Sequence, residues 1–152
     1  MPFERLEVWK RSARLSADIY KALFSLKDYG FKDQITRAGL SIPSNIAEGM
    51  ERSTDKEKAR FLDIAKGSAA ELRTQCYIGI DIGYIPPSLG KHWIAETKEI
   101  SAMLVALIRT VKKPSAISPK EAISHQPSAI SHQLSAISYQ PSAISRQRSD
   151  ES

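Results

Sequence analysis

Apolar side chains recur at steps of three and four residues in four separate stretches of the first 113 positions. That spacing places them on one side of an α-helix, whereas a half-buried strand would alternate residue by residue. The pattern predicts an all-α domain of four amphipathic helices. Their approximate ranges are 4–26, 33–51, 55–85 and 89–112.

The first helix is predicted to bury one stripe and to be terminated by Gly30 beyond its last turn, since glycine tolerates the positive φ common after a helix. The stripe contains Leu6, Trp9, Ala13, Ser16, Tyr20 and Leu23. In the second helix, Pro43 cannot donate to the carbonyl of Gly39 and its ring crowds that group. We therefore expect a kink or restart at Pro43, with a break into two short helices as the alternative.

The third helix is predicted to begin after Thr54, because Thr54 and Glu57 form the pattern of a capping box. Pro86 and Pro87 should end it, and Ser88 is the predicted cap of the fourth helix. The apolar stripe of the third helix is rich in small residues. The apolar stripe of the fourth helix is broad enough for burial against more than one neighbouring helix. The stripes contain Leu62, Ala65, Ala69, Leu72, Cys76 and Gly79, and then Trp93, Ile94, Thr97, Ile100, Ser101, Met103, Leu104, Leu107, Ile108 and Val111.

Composition changes sharply near Lys113. The last 39 residues contain eleven serines and four prolines but no glycine, and Ser-Ala-Ile-Ser or Glu-Ala-Ile-Ser recurs five times at steps of six or seven. Each unit has one large apolar residue where a coiled coil needs two, and Pro127 and Pro141 would interrupt a helix. We predict a helical domain at 1–113 and a disordered repeat tail at 114–152.

Catalytic and metal-binding patterns are absent from the sequence. Outside the tail His92 is the only histidine, and an enzyme built around it is the weakest alternative. No Cys/His cluster, Glu-x-x-His pair or phosphate-binding glycine motif is present, so we predict no metal, no cofactor and no enzymatic activity. Cys76 lies in an apolar stretch typical of a core thiol, and Glu96 and Glu99 are expected to be a solvated acidic pair.

The net charge of +5 belongs to residues 1–113, which contain 19 Lys and Arg against 14 Asp and Glu. No stretch has the roughly 18 consecutive apolar residues of a membrane span, and no apolar signal segment begins the chain. These features predict a cytoplasmic protein, and the basic excess is compatible with an anionic partner such as RNA or DNA. The candidate phosphate contacts are Lys10, Arg14, Lys21, Arg37, Arg60 and Arg73.

The densest polar group is Ser44, Asn45 and Glu48, which lie close to Pro43. One interpretation is structural, with serine and asparagine side chains bonding backbone groups that proline leaves free. The other is a subunit contact or ligand patch. The surrounding segment is Ser41-Ile42-Pro43-Ser44-Asn45-Ile46-Ala47-Glu48-Gly49.

This segment, together with Phe3-Glu4-Arg5-Leu6-Glu7-Val8-Trp9 and the pattern from Phe61 to Gln75, resembles the four-helix-bundle family encoded within 23S rRNA intervening sequences. The accessory variability determinant of diversity-generating retroelements is a similar protein. The resemblance implies an up-and-down bundle, a homopentameric ring and no known catalysis. For the retroelement relatives it also implies a basic surface that engages nucleic acid and a reverse transcriptase.

Together these observations favour a non-enzymatic, oligomeric nucleic-acid-binding accessory protein. The rival is a structural scaffold that recruits a protein partner, such as a reverse transcriptase, through residues 44–48.

Overall fold

The structure is a computed structural model that describes residues 1–113. The predicted tail at 114–152 and its boundary with the helical domain lie outside the described residues. A short 3-10 turn, Phe3–Arg5, precedes four α-helices: α1 (Glu7–Ala22), α2 (Tyr29–Met50), α3 (Asp55–Asp81) and α4 (Pro87–Lys112). Consecutive helices pack against each other and α1 also contacts α4, so the described residues form an up-and-down four-helix bundle. The predicted all-α fold is confirmed for this part of the chain.

The core stripe of α1 differs from the predicted one. Val8, Leu15 and Ile19 are buried, together with Ser12 and Ser16, whereas Tyr20 is 44% exposed. The prediction is confirmed for Ser16 and Leu23, which are buried, and was wrong about Tyr20, which lies beside the buried Ile19 on the exposed side of the helix. The Ser12 hydroxyl donates to the carbonyl of Trp9 at 3.1 Å, so this polar group is buried without losing its hydrogen bond.

The connection between α1 and α2 spans residues 23–28, four positions earlier than predicted. Asp28 caps α2, and its carboxylate accepts from the backbone N–H of Phe31 at 3.1 Å. Gly30 therefore lies in the first turn of α2, and the prediction that it ends the first helix was wrong. α2 is also continuous through the buried Pro43, which excludes the break into two helices.

The start of α3 follows the prediction. Thr54 is its N-cap and accepts from the N–H of Glu57 at 3.2 Å. All six residues of the predicted α3 stripe are buried, and the α4 stripe is buried or half-buried along its whole length. Small side chains at Ala65, Ala69 and Gly79 let the neighbouring helices approach α3 closely.

The α3–α4 loop begins before the two prolines. α3 ends at Asp81, and Gly83 has a φ of +80°, which reverses the chain. Pro87 is the first residue of α4, a position where its missing N–H costs nothing, so the predicted cap at Ser88 was wrong.

The two loops at this end of the bundle contact each other. The Tyr84 hydroxyl donates to the Asp28 carboxylate at 2.8 Å, and the ring of Tyr84 packs edge-on against Phe31 with centroids 5.4 Å apart. These two hydrogen bonds, from Phe31 N–H and Tyr84, hold the pKa of Asp28 below its usual value. Asp28 thereby joins the start of α2 to the α3–α4 loop.

Candidate nucleic-acid interface

Three of the predicted phosphate contacts share one outward face of α1. Lys10, Arg14 and Lys21 are exposed and are separated by four and seven residues, so their side chains leave the helix in similar directions. Eleven residues of helix place the first and last about 16 Å apart along the axis. We call these three residues the α1 basic face.

Two exposed acids of α1, Glu7 and Asp18, lie close to the α1 basic face. Lys10 is 3.4 Å from Glu7, and both side chains are more than half exposed, so this contact is weak. Within residues 1–113, no ion pair involves Arg14 or Lys21. Their donors are therefore open to a ligand.

Arg37 and Arg60 lie elsewhere on the surface. On α2, Arg37 is paired with Asp33 at 3.0 Å and its side chain is 78% exposed. Near the start of α3, Arg60 lies over the ring of Phe61 at 4.9 Å and is 3.5 Å from Glu57. Since α3 begins at the opposite end of the bundle from Lys21, the structure does not bring all six candidates together.

Arg73 serves a packing role. Its Nε donates to the Thr97 hydroxyl at 3.2 Å and its Nη2 donates to the Ser101 hydroxyl at 3.0 Å. Thr97 is fully buried and donates in turn to the carbonyl of Ile94. The Arg73 guanidinium therefore joins α3 to α4, and it has fewer donors left for a phosphate than the other five candidates.

The segment from Ser41 to Gly49 lies in the C-terminal half of α2 and packs against α3. Its side chains Ile42, Pro43 and Ile46 are buried. The hydroxyls of Ser41 and Ser68 are 2.9 Å apart across the two helices.

Asn45 uses both of its amide hydrogens on Ser41. Its Nδ2 donates to the carbonyl of Ser41 at 2.8 Å and to the Ser41 hydroxyl at 2.9 Å. Asn45 thus has a structural contact within α2. It is not the predicted one, since Pro43 frees the carbonyl of Gly39 whereas Asn45 bonds to Ser41.

The end of the same segment requires a residue without a side chain. A Cβ added to Gly49 would lie 2.9 Å from Cβ of Phe61 and 3.2 Å from the carbonyl oxygen of Lys58. Glu48 bonds to Arg52 on the outer surface, and Ser44 is exposed. Of this segment, Ser44 and Glu48 are thus the residues that face outward and remain open to a partner.

A strong polar contact between α1 and α4 was not predicted. Arg11 donates to both carboxylate oxygens of Glu96, through Nε at 3.1 Å and through Nη2. The pair lowers the pKa of the Glu96 carboxylate, mainly through the hydrogen bond from Arg11, and raises that of the guanidinium. The expectation that Glu96 is solvated was wrong, since its side chain is only 22% exposed. No local pattern signals a contact between residues 85 positions apart.

Reactive groups are not gathered at one place in the described residues. Cys76 is fully buried, as predicted for a core thiol, and burial raises its pKa to about 12. No group of three potential ligands for a metal ion occurs within residues 1–113. A groove of about 340 Å³ between the start of α1 and the end of α4 is lined mainly by apolar side chains, including Leu6, Met103 and Leu107.

None of the helices in residues 1–113 combines the length and the hydrophobicity that crossing a membrane requires.

Comparison with known proteins supports the observed four-helix-bundle fold. No curated protein matches the chain. A solved structure of a protein with unknown function from the S23 ribosomal protein family of Bacteroides thetaiotaomicron VPI-5482 is 26% identical, with a TM-score of 0.63. The match covers 67% of this chain and 98% of that one. The family model for the 23S rRNA-intervening sequence protein matches residues 4–106. The chain therefore belongs to the 23S rRNA-intervening sequence protein family.

Proposed function

We propose that this protein is a non-enzymatic, oligomeric accessory protein that binds RNA or DNA through the α1 basic face. The observation that carries the proposal is the exposure of Lys10, Arg14 and Lys21 along about 16 Å of one helix face. A row of cations that are not engaged in the core attracts a polyanion and displaces its counterions. Arg37 and Arg60 would extend the contact on other surfaces.

Assembly into a ring is the second part of the proposal. Ile64, Gly67 and Ile78 share the outer face of α3, and the two isoleucines are 41% and 39% exposed. On the neighbouring helix, Leu40 is 48% exposed. Apolar residues in such positions suit a contact between subunits. A pentamer, which the family resemblance implies, would repeat the α1 basic face five times and strengthen binding through multivalency.

The rival function is recruitment of a protein partner, such as a reverse transcriptase, by residues 44–48. Ser44 is exposed and Glu48 lies one turn further along the same surface. A protein retained after nuclease treatment, with no RNA or DNA recovered, would favour the rival.

Removing charges selectively tests the proposed surface. The triple variant K10Q/R14Q/K21Q should bind a labelled 20-nucleotide RNA or DNA about tenfold more weakly than the wild type at 0.15 M salt, because three phosphate contacts are lost. Fluorescence anisotropy measures the affinity. The three positions are exposed, so the variant should keep the helical circular dichroism of the wild type.

The matched control removes the same charge from other exposed positions, as K56Q/K98Q/R109Q. We expect its affinity to stay within about threefold of the wild type, since long-range charge effects are screened at this salt concentration. An equal loss of affinity in both triple variants would contradict a localised α1 surface.

A further inference from the structure

Aromatic residues are concentrated at the end of the bundle where the α1–α2 and α3–α4 loops meet. Six of the eight phenylalanines and tyrosines in residues 1–113 lie in these loops or in the adjoining helical turns. They are Tyr20, Phe24, Tyr29, Phe31, Tyr77 and Tyr84. We call them the aromatic end.

Four of these rings face solvent. Phe24 is 80% exposed, Tyr29 70%, Tyr77 53% and Tyr20 44%. Folding stability gains little from rings left in water, because the benefit of an apolar side chain depends on the area it buries. Their exposed surfaces are therefore available for a contact outside the bundle.

Lys32 links the backbone of Phe24 to the ring of Tyr29, the residues with the two most exposed rings. Lys32 Nζ donates to the carbonyl of Phe24 at 3.3 Å and lies 4.9 Å from the centroid of the Tyr29 ring. Underneath, the Tyr84–Asp28 hydrogen bond and the Phe31–Tyr84 ring contact hold the two loops together. Phe24 and Tyr29 thus project from a constrained scaffold.

Lysines accompany the exposed rings of the aromatic end. Lys21, Lys27 and Lys32 lie in the same segment as these rings. Of the acids at this end, Asp28 is bonded to Tyr84 and Asp33 is paired with Arg37, while Asp81 is exposed. Lysine is depleted from the cores of protein–protein interfaces, whereas rings interleaved with basic residues are typical of single-strand nucleic-acid surfaces.

We infer that the aromatic end binds unpaired bases of single-stranded RNA or DNA, which stack on Phe24 and Tyr29 while the flanking lysines contact phosphates. The inference rests on the proposed function and specifies its ligand as single-stranded. Lys21 belongs both to the α1 basic face and to the segment of the aromatic end, so one strand can run from the phosphate contacts to the stacking rings. Bases in a duplex already stack on each other and leave no free face for these rings.

Exchanging rings for aliphatic side chains tests the inference. Full-length F24L and Y29L should each bind a labelled 20-mer of oligouridine or oligothymidine about tenfold more weakly, because stacking is lost while apolar area is largely kept. F24Y and Y29F preserve a ring and should bind within about twofold of the wild type. The wild type should prefer either single strand to a duplex of equal length, and comparing oligouridine with oligothymidine separates RNA from DNA.

The experiments can contradict base stacking at the aromatic end without contradicting binding by the α1 basic face. If F24L and Y29L bind as the wild type does while K10Q/R14Q/K21Q loses affinity, base stacking is wrong and the α1 basic face remains. If the wild type binds neither single strand nor duplex, both proposals are wrong. Unchanged circular dichroism of the leucine variants, expected from the exposure of both positions, ensures that a loss of binding reports the ring itself.

Discussion

At the scale of single residues, the glycines Gly49 in α2 and Gly67 in α3 differ in whether packing of the bundle requires them. Gly49 lies where a side chain would collide with Phe61, so its absence of a Cβ permits the α2–α3 contact. At Gly67 an added Cβ would meet nothing within 4 Å. A glycine in an exposed helix costs about 1 kcal/mol relative to alanine, and packing within the single bundle does not repay that cost. A neighbouring subunit close to α3 would explain it.

The variant G67R tests this explanation. Arginine should leave the helical circular dichroism unchanged, since the site is open in the bundle, but it should block a close subunit contact. Sedimentation velocity should show a multiple of 16.9 kDa for the wild type and the single-chain mass for G67R. A95R adds the same side chain to an exposed position on α4 and should assemble like the wild type. A wild type that sediments as one chain, or a G67R variant that assembles normally, would contradict the proposal.

At the scale of helices, patterns among neighbouring residues predict the existence of each helix better than they predict where it ends or which helices contact each other. The small-residue stripe of α3 and the Thr54 cap depend on neighbours in sequence, and both are confirmed. The predicted start of α2 was wrong because Asp28 caps the helix and places Gly30 in its first turn, although glycine commonly follows a helix end. Contacts between helices, such as the one from Arg11 to Glu96, join residues far apart in sequence and leave no periodic signal.

The ion pair between Arg11 on α1 and Glu96 on α4 makes the free energy of unfolding depend on pH. Because Arg11 lowers the pKa of Glu96 from its ordinary value of 4.5, the pair stabilises the fold above that pH and loses its effect as the pH falls through the lower pKa of the folded state. E96Q should lower the unfolding free energy by about 1 kcal/mol at pH 7. Urea unfolding between pH 2 and 7 should show this difference shrinking below about pH 4.5.

Glu99, one turn along α4, provides the control for that series. E99Q removes the same charge near Arg11 without removing the hydrogen bond, so we expect its stability to stay close to the wild type across the range. A stability difference between the wild type and E96Q that is constant from pH 7 to pH 2 would rule out the assigned role of the pair.

At the scale of the whole molecule, the bundle buries one apolar stripe from each helix and displays charge outside. The candidate surface was predictable only in part. The spacing of Lys10, Arg14 and Lys21 suffices to place them on one helix face, but spacing cannot show that Arg73 bonds to α4. The aromatic end escaped prediction because its rings come from two separate segments, 20–31 and 77–84, which only the folded topology brings together.

Salt dependence of binding tests the central claim, that the exposed cations bind nucleic acid, most directly. The affinity of the wild type for a single-stranded 20-mer, measured from 0.05 to 0.4 M salt, should fall along a straight line on logarithmic axes, with a slope of about −0.7 for each phosphate neutralised. We expect a slope of about −2 or steeper from the three cations of the α1 basic face. An affinity that does not change over this range, or an absence of binding at its lowest salt concentration, would contradict the proposed function.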